Sequence, residues 1–158
     1  MIRVRLQIGN SAIVDTIDSF GLVYVSSDHR FEAPLKEFEK TSYPEEEGEH
    51  ILNKTVSDAF DYKVTWFIKA DGSLDNANVI IKRFNNLLHV QLKSGVKVFE
   101  QVTFYNDYKK VKIVGTPTLI QEATEFWRDS QGKQHDVVCV EWGIRVSKPS
   151  LCDFNLTE

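Results

Sequence analysis

Hydrophobic and polar positions alternate along most of this chain, most clearly between Phe60 and Lys69. Phe60, Tyr62, Val64, Trp66 and Ile68 fall on one face, and Asp61, Lys63, Thr65, Phe67 and Lys69 on the other. Side chains alternate across a strand, so the pattern predicts a half-buried strand with an aromatic and β-branched inner face. Asp71-Gly72 ends it as a turn. The period then changes. Leu74, Ala77, Ile81, Phe84 and Leu88 recur at three- and four-residue spacing, the apolar stripe of a helix over residues 73–88. Ser73 stands where an N-cap belongs, and Asp75 suits the positive end of the helix dipole. Burying each large member of the stripe contributes about 1.5–3 kcal/mol before entropy is subtracted, enough to hold a single helix on a sheet.

The rest of the chain reads as strand and turn. Residues 1–8 alternate, with Ile2, Val4, Leu6 and Ile8 on one side. Gly9-Asn10-Ser11 turns, residues 12–17 form a second short strand, Asp18-Ser19-Phe20-Gly21 breaks it, and residues 22–26 form a third. Residues 34–42 are expected to be extended, residues 43–48 a loop with three glutamates, and residues 50–56 another short strand. After the helix, residues 90–95 are transitional. Residues 96–105 read as one strand whose alternation slips at Glu100-Gln101, the mark of a bulge. Asn106-Asp107 turns into a strand over 109–114, and Gly115-Thr116-Pro117 punctuates. Residues 118–127 and 136–146 form a long hairpin with residues 128–134 as its loop. Pro149 ends the last strand, and residues 150–158 are a tail. The count is about eight to ten strands and one helix, undivided by repeat or linker. The expected fold is mainly β, a β-sandwich or barrel with one flanking α-helix, in a single domain spanning 1–158.

Composition narrows the function classes. The 158 residues are 42% hydrophobic and 27% charged with a net charge of −4, an ordinary globular balance that argues against a general basic surface for nucleic acid. Lys109, Lys110 and Lys112, near Tyr105 and Tyr108, are the nearest approach to a basic-aromatic patch, and a solvated hairpin face explains them as well. No apolar run reaches the ~18–20 residues that span a bilayer, and residues 1–8 alternate rather than forming a signal-peptide core. Cys139 and Cys152 have no Cys-x-x-Cys partner and read as reduced thiols. The four histidines, His29, His50, His89 and His135, lack ligand spacing. No Gly-x-Ser-x-Gly elbow and no phosphate-binding glycine loop is present. Glu122 and Glu125, on a strand, would point to opposite faces. Trp66, Trp127 and Trp142 lie in predicted strands and read as core or interface. The expectation is no enzyme, no cofactor and no metal.

The order of parts resembles the tail-tube family of phage and prophage proteins, in particular the N-terminal domain of siphophage distal tail proteins. The matching pieces are Asp18-Ser19-Phe20-Gly21-Leu22, the loop Tyr43-Pro44-Glu45-Glu46-Glu47-Gly48, the strand over 60–70, the helix over 73–88 and the later hairpins. The resemblance implies a β-sandwich or barrel flanked by one helix, assembled as a ring, usually a hexamer, around a DNA channel. Its role would be structural, joining tail tube to tip or baseplate. Its partners would be further copies of itself and other tail proteins, in a virion tail assembled in the host cytoplasm, with no membrane and no sequence-specific nucleic acid. Many distal tail proteins carry a second domain, and this chain ends at Glu158, so a tube, terminator or hub-like adaptor fits equally. The competing reading is a monomeric β-sandwich that binds a glycan or small ligand, which predicts a concave face with exposed tryptophans.

An assembling protein should carry apolar surface that its own fold does not cover. Phe67, on the polar face of its strand, and Ile80 and Leu87, which widen the helix stripe, are the candidate interface residues. Tyr43 and Pro44 complete the set.

Overall fold

The aromatic strand forms where its alternation predicts. The computed structural model describes residues 2–36, 40–41, 50–51, 57–69, 74–128 and 134–157; Ser73, the 43–48 loop and residues 129–133 lie outside them. In chain order the elements are β1 (Arg5–Ile8), β2 (Val14–Asp15), α1 (Thr16–Phe20), β3 (Val23–Ser27), β4 (Lys40–Thr41), β5 (His50–Ile51), β6 (Phe60–Lys69), α2 (Leu74–Leu88), β7 (His89–Gln91), β8 (Lys97–Phe99), β9 (Val102–Asn106), β10 (Val111–Pro117), β11 (Ala123–Arg128) and β12 (Gln134–Val146), closed by a 3-10 turn at Pro149–Leu151. The mainly β class expected from sequence holds, with a second, short helix added to the flanking one.

β6 is the next-to-last strand of an eight-stranded antiparallel sheet ordered β2-β1-β9-β10-β12-β6-β3, with β11 added alongside β12. β6 pairs with β12 from Phe60 opposite Val146 to Lys69 opposite Val137, and with β3 on its other edge. The link between β10 and β12 is brief, Thr116 opposite Arg145 and Pro117 opposite Ile144. There the sheet folds over, so that β9 faces β6 and β3 across the core. Phe104 of β9 lies 6.0 Å from Trp66 and 6.1 Å from Tyr62, ring centre to ring centre, and 6.3 Å from Tyr24 of β3. All five inner-face residues of β6 are buried, as are Val138, Val140, Trp142, Ile144 and Val146 of β12.

α2 closes this core from one side. Ala77, Phe84 and Leu88 of its stripe are buried and Ile81 is half-buried. Phe84 meets Trp142 edge to face at 5.5 Å and Phe20 of α1 at 5.4 Å, so aromatic contacts run without a gap from α1 through α2 into the sheet. The Asn85 side chain donates to the Ile120 carbonyl at 2.9 Å and accepts from the Ile120 amide at 3.0 Å, fixing the helix to the segment before β11.

Four expectations are corrected. Residues 16–20 are helix, not strand and break: the Asp15 carboxylate accepts from the amides of Ile17 and Asp18 as an N-cap, and Gly21 (φ 73°) ends the turn in the left-handed region. Five residues are too few for an apolar period to reveal. The slip at Glu100-Gln101 is not a bulge but a break between two strands in different sheets, β8 pairing with β7 and β9 with β1 and β10. Gly115 is strand interior rather than punctuation, because β12 passes close against it. The segment after Pro149 is docked. Lys112 and Asp153 exchange backbone hydrogen bonds of 2.7 and 2.9 Å, and Phe154 packs 6.0 Å from Phe60.

Candidate assembly surface

The surface least explained by the fold is the β7–β8 hairpin. It stands apart from the eight-stranded sheet as a two-stranded unit of its own. Its root is well held: the Glu100 amide donates to the Leu88 carbonyl at 2.9 Å, His89 Nδ1 lies 2.7 Å from the Asn85 carbonyl, and the His89 and Phe99 rings are 5.9 Å apart. Its tip turns through Gly95 (φ 82°), with Leu92 and Val96 joined by the Leu92 amide donating to the Val96 carbonyl. Val90 lies opposite Val98. Alternation therefore puts Val90, Leu92, Val96 and Val98 on one face, and they are 53%, 47%, 57% and 50% exposed. The other face carries Gln91 and Lys97. One side of the hairpin is thus wholly aliphatic and uncovered.

A groove lies at the hairpin's root, with a volume of about 610 Å³. The turn after β1, Phe20 of α1 and Leu87 of α2 form its walls. Glu100 is the one charged residue lining it, and its carboxylate sits over Gly9, 2.8 Å from where a Cβ would be. Beside it, Arg3 reaches Asp15 at 3.3 Å and Asp18 at 3.4 Å. Burial works against ionisation of Asp15, but the amides of Asp18 and Ile17 and the Arg3 guanidinium outweigh it and hold the carboxyl below the usual carboxylate range.

The five candidate interface residues separate. Leu87 is exposed and lines the groove. Ile80 is half-buried and packs on the core, its Cδ1 3.5 Å from where a Cβ on Gly21 would be. Phe67 is half-buried on the outer face of β6, in register with Val23 and Cys139, and does not line the groove. Tyr43 and Pro44 lie outside the described residues. The hairpin was missed because residues 90–95 read as transitional and Val96 and Val98 were taken into one strand over 96–105. The available signal was Val90-x-Leu92 and Val96-x-Val98 flanking Lys93-Ser94-Gly95, a period of two around a glycine turn.

Other candidates dissolve into structure. Lys109 donates its Nζ to the Ser27 carbonyl at 2.5 Å, joining the β9–β10 turn to the end of β3. Tyr105 is covered by Arg5, whose guanidinium lies 5.0 Å from the ring centre and also pairs with Asp107 at 2.9 Å. Trp66 and Trp142 are buried, the latter donating Nε1 to the Thr118 carbonyl at 2.6 Å; nothing is described of the Trp127 side chain. Cys139 is exposed on β12, and Cys152 is half-buried with its thiol against the Val114 amide at 3.4 Å. Among the described residues no group of three or more His, Cys, Asp or Glu is placed to hold a metal ion. No helix among them is long and apolar enough to cross a membrane.

No protein-family profile matches the sequence, and no curated protein matches it. Among solved structures the chain is similar to the Dit (gp 19.1) protein of phage SPP1, described as a paradigm of the hub adsorption apparatus in phages that infect Gram-positive hosts. The match has a TM-score of 0.48 and 18% identity and covers 89% of this chain and 49% of that one. The chain thus spans about half the length of the protein it matches, and a likeness of this degree assigns no role by itself.

Proposed function

We propose that this chain is a structural, non-enzymatic component of a phage or prophage tail. Copies of it form a ring that connects tail tube to tip or baseplate, in a virion tail assembled in the host cytoplasm. Two things support the reading. The order of parts that resembles distal tail proteins is accompanied by the mainly β fold with a flanking helix that the resemblance implies. The observation that carries it is the β7–β8 hairpin, which offers an uncovered aliphatic face made of Val90, Leu92, Val96 and Val98. Such a face on a projecting strand pair is what a subunit in an assembly leaves for its neighbour.

The alternative, a monomeric sandwich binding a glycan or small ligand, needs exposed tryptophans on a concave face. Trp66 and Trp142 are 0% and 1% exposed, so no observation favours it. Size-exclusion chromatography with light scattering, followed by negative-stain imaging, tests the ring directly. Closed rings of uniform mass are the expected result. A monomer at every concentration, with no rings on the grid, overturns the reading.

A further inference from the structure

We draw no further inference here: the strongest candidate, the uncovered aliphatic face that Val90, Leu92, Val96 and Val98 form on the β7–β8 hairpin, carries none, because nothing in the structure shows what covers it.

Discussion

Replacing Gly115 with alanine separates the structure from the plainest reading of the sequence. Gly115-Thr116-Pro117 looks like punctuation, and glycine in an ordinary turn or strand can often be replaced with a gain of about 0.4–1 kcal/mol, because the unfolded chain loses freedom. Gly115 instead lies inside β10, opposite Val102 and one residue before the pairing of Thr116 with Arg145. A Cβ there would meet the Arg145 carbonyl oxygen, closer than real Cβ contacts come, and would lie 2.8 Å from Cγ2 of Ile144. A flexible side chain can rotate away, but the backbone of β12 cannot, because it is held along β6 over ten residues. Overpacking costs about 1–3 kcal/mol, and a backbone obstacle belongs at the upper end. Subtracting the unfolded-state gain leaves G115A about 2 kcal/mol less stable than wild type. For a chain of this size that lowers the melting temperature by roughly 4–8 °C. Urea unfolding followed by tryptophan fluorescence reads it, because Trp66 and Trp142 are buried and report on the core. The midpoint should fall with the slope unchanged. G143A is the milder comparison: its Cβ would lie 3.3 Å from the Thr118 hydroxyl, a side-chain group rather than backbone, though one tied to Gly143 by two hydrogen bonds, so a smaller loss is expected. Wild-type stability or better in G115A, or an equal loss in G143A, would refute the close approach of β10 and β12.

Three further outcomes follow from named contacts. N85A leaves the amide and carbonyl of Ile120 without their partner and should cost about 1–3 kcal/mol in the same urea assay; a change within about 0.5 kcal/mol would mean that the reciprocal pair does not anchor α2. Burial pushes the Tyr62 hydroxyl up to about 12, against the opposing hydrogen bond to Ser27. Its neutral form is the one the fold favours, so its contribution is complete below the unfolded tyrosine's ~10 and is lost as pH rises toward about 12; melting temperature against pH should fall less steeply in Y62F over that window. Cys139 is exposed, whereas burial raises the Cys152 thiol, so Ellman's reagent should show one fast and one slow phase, with C139S removing the fast one; equal rates would contradict the docking of Cys152 on β10.

The sequence reveals most where one face of an element is buried along its whole length. β6 and β12 alternate over ten and thirteen residues, and every inward position the alternation names from Phe60 to Ile68 and from Val138 to Val146 is buried. α2 is similarly plain, because its apolar stripe spans its full fifteen residues. What was hidden depends on short elements and on contacts between distant segments. α1 is too short for a period, and its evidence is the Asp15 cap and the Gly21 end. The break between β8 and β9 follows from different partners on either side of Glu100, which alternation along one strand cannot express. The docking of Cys152 and Asp153 depends on β10 having a free edge below its short pairing with β12. For the candidate surface, Leu87 was visible as a surplus on the helix stripe. The hairpin went unseen because each of its strands has only three residues.

The distribution of fastening across the molecule bears on what the hairpin is for. At the end formed by the β9–β10 turn and the C-terminal segment, every loose part is tied. Lys109 reaches Ser27, Leu156 donates to the Lys110 carbonyl at 2.8 Å, and Phe154 lies on Phe60. Among the described residues the β7–β8 hairpin is tied only at its root, through Leu88 and Glu100. A two-stranded hairpin is marginal in water without a third strand or a packed face. Among the described residues it has no third strand, and the face it would pack is the aliphatic one left open. Exposing four aliphatic residues there adds nothing to the stability of the monomer, and a polar face would serve a lone subunit better. The residues make physical sense once a neighbouring surface in an assembly covers them.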